Sequence, residues 1–290
     1  MTTLPWTHGP LRVSANGRFF EHTDGTAFFW LGDTGWLLFT RLGLDEAARY
    51  LDDRRDRGFN VIQVMLVHRL PTENAYDERL ESLEAIEWSS DPPVTGDVEP
   101  GDRSYFAVAD KMVGLAEERG LYMAIVPVWG SVVQEGHLSE GAAHEYGAWL
   151  GRHYRDRPNV IWLNGGDVRG SVRPEVWNAL GSAIREHDPN HLMTFHPFGR
   201  TQSSRWFHDA PWLDFNMFQS GHRRYDQRSL DPTGGANNDD PDAETEWKGE
   251  DNWRYVLEDL ALTPTRPTLD GEPSYEAITQ GLHEPSQPRW

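Results

Sequence analysis

Short apolar runs of strand length alternate with apolar stripes of helical spacing along most of this sequence. One stripe contains Leu44, Ala47 and Leu51, and it precedes a nearly continuous apolar run at 59–67. Strands that alternate with helices pair in parallel, and they are apolar throughout because helices cover both faces of the sheet. Seven such strands are predicted, and their polar ends favour a (β/α)8 TIM barrel over an open sheet. The predicted strands are about 28–36, 59–67, 121–129, 160–167, 192–196, 213–222 and 267–272.

Two hairpin signals precede the barrel. Asn16-Gly17 and Asp24-Gly25 each lie between β-forming residues, a pattern typical of tight antiparallel turns. We therefore predict N-terminal β-hairpins over 11–30, with the barrel beginning at about residue 28 of a single domain over 1–290. The residues after Glu272 are too few for an eighth strand and its helix. Because an unclosed barrel leaves unpaired strand edges, we expect the chain to be truncated before its eighth unit.

Composition and charge narrow the classes of partner. The formal net charge of −19 argues against nucleic acid and anionic membrane surfaces as partners. The chain has no cysteine, so disulfides and thiolate chemistry are excluded. Neither a leader peptide nor a membrane span is evident, and as written the chain is expected to be cytoplasmic. Its 13 Trp residues are an unusual number and favour a carbohydrate partner, although most large rings lie in protein cores. The sequence does not determine the oligomeric state.

Two carboxylates follow predicted strands at opposite ends of the chain. The run Val-Ile-Trp-Leu-Asn-Gly-Gly at 160–166 leads into Asp167, and Pro-Thr-Leu-Asp-Gly at 267–271 leads into Glu272. Because the strands of such a barrel present their carboxyl ends to one pocket, the pair predicts a glycosidase with an acid and a nucleophile. We assign Asp167 as proton donor and Glu272 as nucleophile, and expect the donor to occupy the drier setting. The alternative is that Asp167 caps a helix and Glu272 pairs with an arginine.

Other polar and aromatic residues stand at the same strand ends and are predicted to contact a sugar. Several have simpler explanations: an acid can satisfy the turn that holds it, and a histidine, tryptophan or tyrosine can belong to the core. The predicted substrate-binding residues are Asp33, Trp36, His68, Trp129, Asn164, His196, Gln219, His222 and Tyr275.

Four motifs carry a resemblance to a known family. Leu-Gly-Asp-Thr-Gly-Trp at 31–36, Asn-Gly-Gly-Asp at 164–167, Gln-Ser-Gly-His at 219–222 and Gly-Glu-Pro-Ser-Tyr-Glu at 271–276 occur in this order. They resemble the apiosidase-like catalytic domain of glycoside hydrolase family 140, also catalogued as domain of unknown function 4038. The resemblance implies a (β/α)8 barrel with Asp167 as acid/base after the fourth strand and Glu272 as nucleophile after the seventh. One departure from wider groups of barrel glycosidases is that Asn164 stands three residues before an aspartate, not directly before a glutamate.

Two other functions remain open at this point. One is a non-catalytic carbohydrate-binding barrel that keeps the aromatic pocket, and the other is a metal-dependent barrel isomerase or hydrolase. No metal or cofactor is expected, because a His-X-His after the first strand and a His-Glu-X-X-His helix are both missing, and the acidic stretch 239–244 lacks EF-hand spacing. The preferred hypothesis is a retaining glycosidase that removes a terminal or side-chain sugar. The long segments 72–103 and 223–248 are expected to select that sugar.

Overall fold

The computed structural model describes residues 4–84, 86, 88, 103–222, 242, 244–245, 247, 251–279, 286 and 288–289. A 3-10 turn at Pro5–His8 leads into a small antiparallel sheet of three strands, and the parallel strands and helices follow. The strands are β1 Leu11–Val13, β2 Phe20–His22, β3 Ala27–Phe28, β4 Gly32–Thr34, β5 Val61–Met65, β6 Thr72–Glu73, β7 Arg79–Leu80, β8 Tyr122–Val126, β9 Val160–Val168, β10 Met193–Pro197, β11 Asn216–Phe218 and β12 Thr268–Asp270. The helices are α1 Leu38–Arg41, α2 Leu44–Asp56, α3 Tyr105–Glu118, α4 Gly130–Gln134, α5 Glu140–Tyr154, α6 Pro174–His187, α7 Ser204–Phe207 and α8 Trp253–Leu260.

The central strands follow chain order around an arc. Strands β4, β5, β8, β9 and β10 form one parallel sheet in that order, and β11 pairs in parallel with β12. A backbone bond from Asp214 N–H to Met193 O (2.8 Å) joins β10 to the segment that precedes β11. Across the interior, the Gln63 side-chain amide donates to Gly271 O (2.7 Å). The predicted α/β class with N-terminal hairpins is confirmed, and the strand order is that of a TIM barrel.

The barrel is not closed within the described residues. No strand there pairs with the free side of β4 or of β12, and the segment beyond β12 contributes one isolated bridge, between Thr279 and Arg289. In the same residues, no helix is both long and apolar enough to cross a membrane.

The N-terminal sheet covers the end of the barrel where the strands begin. Phe20 packs edge-on against Phe215, which lies just before β11 (ring centroids 4.9 Å apart), and Trp6 packs edge-on against Tyr122, the first residue of β8 (5.8 Å). Both contacts exclude water from the end of the barrel where the strands begin. The opposite end, where the strands finish, is therefore the open end available for a site.

Side chains of the central strands alternate between two apolar layers. In β5, Val61 and Met65 point into the barrel, whereas Ile62 and Val64 pack outward with Leu51 of α2. Every residue of β5 is buried, so the burial of this strand shows no alternation. The same two-residue period decides which side chains at the strand ends reach the pocket.

Some predicted boundaries differ from the structure. The first barrel strand was predicted to be continuous from about 28 to 36, but the chain breaks into β3 and β4, which belong to different sheets. The segment 72–103 contains the short hairpin of β6 and β7, and 85, 87 and 89–102 lie outside the described residues. Most of the segment 223–248 also lies outside them.

Candidate active site

A buried carboxylate, Glu272, lies just beyond β12 at the open end of the barrel and is 7% exposed. It accepts hydrogen bonds from Gln219 Nε2 (2.8 Å) and His222 Nε2 (3.0 Å), and also from the Tyr275 hydroxyl. His196 Nε2 lies 3.4 Å from its Oε2 atom. Four of the predicted site residues therefore surround the predicted nucleophile.

These surroundings favour the ionised form of Glu272. Burial alone would raise the pKa of this carboxyl, but the hydrogen bond from His222, the neighbouring His196 and the bond from Tyr275 together hold the pKa below its ordinary value. Glu272 is consequently a desolvated anion at neutral pH. Such a group can attack an electrophilic carbon without first losing a proton.

His196 connects the two predicted catalytic residues. Its Nδ1 atom accepts a hydrogen bond from the Asp167 backbone N–H (3.4 Å), while its Nε2 atom faces Glu272. Burial lowers the pKa of this imidazole, even though the nearby Glu272 and Asp167 charges act in the opposite direction. A neutral ring that accepts at Nδ1 carries its proton at Nε2, the nitrogen that lies 3.4 Å from the Glu272 carboxylate. One imidazole ring thus separates the backbone of Asp167 from the side chain of Glu272.

Asp167 stands at an irregularity in β9. The register with β10 pairs Gly165 with His196 and then Val168 with Pro197, so Gly166 and Asp167 lie in a bulge. Asp167 has φ of 49°, and unlike Glu272 it is exposed. Bulges commonly redirect a side chain near an active site. The drier setting expected for the proton donor is therefore wrong, because Glu272 is the buried partner and Asp167 is the exposed one.

Two tryptophans form one wall beside these groups. The rings of Trp36 and Trp129 meet edge to face with centroids 5.3 Å apart, and both contact His196, at 5.3 and 5.7 Å. Trp36 Nε1 also donates to the Tyr275 hydroxyl (2.6 Å). The wall thus contacts both His196 and a donor to the buried carboxylate. Partly buried rings of this kind give a sugar an apolar face to lie against.

Asp33 and Asn164 do not join this cluster. Asp33 points outward to α2, where it accepts hydrogen bonds from the Tyr50 hydroxyl (2.7 Å) and Arg54 Nη1 (3.1 Å). Asn164 points outward to α6, where its side-chain amide donates to Trp177 O (2.9 Å). Both residues were placed at the correct end of their strands but on the wrong face. In β9 the neighbouring Leu163 faces the barrel interior instead.

His68 lies in a separate polar cavity of about 380 Å³, whose lining includes Arg41, Glu46 and Asn74. Its Nδ1 atom is 3.4 Å from Thr72 Oγ1. Burial lowers the pKa of His68, and the charges of Arg69 and Arg41 lower it further. None of the contacts described for His68 reaches Glu272 or the tryptophan wall.

The sequence analysis missed two polar residues beneath the site. Gln63 bonds the carbonyl of Gly271, which directly precedes Glu272, and Asp270 accepts a bond from the Glu272 backbone N–H (3.3 Å). Gln63 was recognisable in principle as the single polar residue of an otherwise apolar strand. Within the described part of the chain, no group of three or more His, Asp or Glu residues is arranged to hold a metal ion.

Comparison with known proteins places this arrangement in context. The family model described as "Apiosidase-like, catalytic domain" matches residues 14–290. A crystal structure of a glycoside hydrolase family 5 protein from Bacteroides vulgatus is 43% identical with a TM-score of 0.87, and the match covers 100% of this chain and 58% of that one. A second structure, described as a glycoside hydrolase, is 44% identical with a TM-score of 0.87, and the match covers 100% of this chain and 62% of that one.

The chain thus spans about three-fifths of the length of these two similar proteins. An endocellulase from Pyrococcus horikoshii is 15% identical over 91% of this chain and 81% of its own, with a TM-score of 0.54, and shares the fold alone. A search of curated proteins found no match. Because the family model covers nearly all of the sequence, the chain belongs to the family of apiosidase-like catalytic domains.

Proposed function

We propose that residues 1–290 form one catalytic domain of a glycoside hydrolase of the family 140 type, which removes a terminal or side-chain sugar by a retaining mechanism. The observation that carries the proposal is the buried, ionised Glu272, held by three donors and separated from Asp167 by one neutral imidazole. The family description directs attention first to apiose as the sugar that is released.

In the proposed reaction, Glu272 attacks the anomeric carbon while Asp167 gives its proton to the departing glycosidic oxygen. The carbon–oxygen bond breaks, and a glycosyl ester forms on Glu272. Asp167, now a carboxylate, then takes a proton from water, whose oxygen displaces Glu272 and releases the sugar. The first step starts from an anionic Glu272, a state that its three hydrogen bonds favour, and the second step releases Glu272 as the same anion.

The surrounding residues have matching roles in this proposal. The wall of Trp36 and Trp129 receives the apolar face of the sugar. The Nε2 atom of His196 lies 3.4 Å from one carboxylate oxygen of Glu272, while its Nδ1 atom accepts a hydrogen bond from the backbone of the bulge that carries Asp167. The positions of the two catalytic groups are therefore coupled through a single ring.

The decisive experiment compares Glu272→Gln and Asp167→Asn with the parent protein on two kinds of glycoside. With a sugar leaving group, Asp167→Asn should lower kcat about 10²–10⁴-fold, the usual contribution of general acid catalysis. With an activated aryl leaving group, which departs without a proton, the first step of this variant should recover. Glu272→Gln should lose about 10⁴-fold or more with both substrates, because no nucleophile remains.

Glu118→Gln is the matched control, since the Glu118 side chain is 75% exposed at the end of α3 and the variant should keep parental turnover. Unchanged turnover in both active-site variants would overturn the assignment. A parent that binds glycans but releases no sugar from any of them would favour the non-catalytic binding alternative.

A further inference from the structure

We propose that Asp270 is a positioning residue that holds the donors of Glu272 in place, an inference that rests on the proposed role of Glu272 as nucleophile. Asp270 is the last residue of β12, and its side chain points to the outer face of the strand. Within the described part of the chain, its hydrogen bonds go to Ser220, Asn252 and the Glu272 backbone, and none reaches His196 or the tryptophans. Its contacts lie beneath the loops that carry the donors.

Each of the two oxygens of the Asp270 carboxylate accepts two hydrogen bonds. Oδ1 accepts from the backbone N–H groups of Ser220 (3.2 Å) and Glu272 (3.3 Å). Oδ2 accepts from the hydroxyl of Ser220 (2.6 Å) and the side-chain amide of Asn252 (3.1 Å). One side chain therefore joins the end of β11, the start of α8 and the backbone of Glu272.

Ser220 is the critical one of these partners because of its neighbours. Gln219 precedes it directly and His222 follows two residues later, and both donate to the Glu272 carboxylate. Gly221 N–H also donates to the Glu272 backbone carbonyl (3.0 Å). By holding Ser220, Asp270 fixes the segment that supplies two of the three donors.

The four donors around Asp270 need an ionised carboxylate. Burial raises the pKa of Asp270 to about 6, against the effect of the bonds from Ser220 and Glu272, and repulsion by the Glu272 charge raises it further. Among the described residues, Glu272 beyond β12 and Tyr255 of α8 interact with it electrostatically, whereas its partners Ser220 and Asn252 are uncharged. Protonation would remove the negative charge that strengthens all four bonds, so the arrangement should loosen as the pH falls through about 6.

An asparagine cannot replace this function fully. Whichever way its amide is turned, the NH₂ group meets either two backbone N–H groups or the side chains of Ser220 and Asn252. The variant Asp270→Asn keeps the size of the side chain but removes the charge that strengthens all four bonds, and Ser220 and Asn252 must turn before they can accept from its NH₂ group. It is therefore a selective test of positioning and leaves no cavity.

The first measurement is steady-state kinetics over a pH series. In Asp270→Asn we expect kcat to fall about 10–100-fold with KM changed less than about 3-fold, and the decline of parental kcat near pH 6 to disappear. Asp259→Asn is the matched control, because Asp259 of α8 is a buried acid that accepts three side-chain bonds but, among the described residues, contacts no donor of Glu272. It should lose stability while retaining kcat.

A second measurement separates this inference from the proposed activity. The titration of the Glu272 side-chain carboxyl carbon is followed by NMR in the parent and in Asp270→Asn. Removing the Asp270 charge alone would lower the Glu272 pKa, whereas loosening its donors would raise it. A higher Glu272 pKa in the variant supports positioning even if the parent hydrolyses no substrate.

A lower or unchanged Glu272 pKa in the variant overturns the proposal, and so does an unchanged kcat. If Asp270→Asn does not fold, Ser220→Ala removes one hydroxyl donor and tests the same contact. It should lower kcat about 3–10-fold and raise the Glu272 pKa, and parental values in both measurements would also refute the inference.

Discussion

Gly165 provides a quantitative test of how tightly the site is built. It has φ of 88°, and a Cβ atom added to it would lie 2.7 Å from His196 O, 2.7 Å from Phe195 Cε2 and 2.8 Å from Phe195 Cζ. Gly58, after α2, has φ of 89° and no atom within 4 Å of the corresponding position. The variants Gly165→Ala and Gly58→Ala therefore impose the same backbone strain but differ in steric contact.

The expected energies follow from that difference. Each alanine should lose about 1–2 kcal/mol to the left-handed backbone, partly offset by the lower entropy of its unfolded chain. Gly165→Ala adds the cost of forcing a methyl group against a backbone oxygen and a packed ring, about 1–3 kcal/mol. Its free energy of unfolding should thus fall below that of Gly58→Ala by about 1–3 kcal/mol.

Urea unfolding measures this difference, provided that both variants keep the parental m-value. Gly165→Ala should also lower kcat, because relief of the clash moves His196, whereas Gly58→Ala should keep parental kcat. Equal destabilisation of the two variants within about 0.5 kcal/mol, together with full activity of Gly165→Ala, would refute the packing argument.

Two further predictions follow from buried hydrogen bonds. Tyr275→Phe removes one donor from Glu272, so kcat/KM should fall about 10–100-fold, as expected for the loss of a hydrogen bond to a charged group. Because the Glu272 pKa should rise, the acid limb of the pH–rate profile should move to higher pH. A pH–rate profile identical to that of the parent would contradict this. Asp188→Asn should cost about 1–3 kcal/mol at neutral pH, because the Asp188 carboxylate accepts bonds from Trp162 Nε1 (2.7 Å) and His191 Nδ1 (2.6 Å). Burial opposes ionisation of Asp188, but the His191 and Trp162 bonds outweigh it and lower the Asp188 pKa. The stability that they add is therefore present above the unfolded carboxyl pKa of about 3.9 and is lost as the pH falls through the folded value. The free energy of unfolding of the variant should thus depend less on pH below about 4 than that of the parent, and equal pH dependence would refute this.

The fold was predictable because apolar periodicity and helix limits are local properties of the sequence. The stripe of Ala47 and Leu51 marks α2, and the run around Ile125 marks β8, close to where the structure has them. The hairpins were predictable from their Asn-Gly and Asp-Gly turns. These signals do not show which side chains of a strand point into the barrel and which point outward, because a fully buried parallel strand has no polar alternation.

That limitation explains which site residues came together and which did not. As the strand-end argument predicts, several of the predicted residues lie together. Glu272 is surrounded by His196, Gln219, His222 and Tyr275, and His196 is contacted by Trp36 and Trp129. Asp33 and Asn164 sit one position out of phase and satisfy outer helices instead. A count of two-residue steps from Val61 would have drawn attention to Gln63, but Asp270 required knowledge of Ser220 and Asn252, which are distant in sequence.

The contrast in exposure between Asp167 and Glu272 is consistent with the division of labour in the proposed mechanism. The leaving sugar must depart and water must enter on the side of the acid/base, so an exposed Asp167 gives both a path. The nucleophile gains from the opposite arrangement, because a carboxylate that has already lost its water shell pays no further desolvation cost during attack. Burial raises the pKa of Glu272 and so favours its neutral form. The hydrogen bonds from His222, Tyr275 and Gln219 favour the ionised form that attack requires. The proposed chemistry thus depends on a buried nucleophile with a complete set of donors and on a proton donor that remains open to solvent.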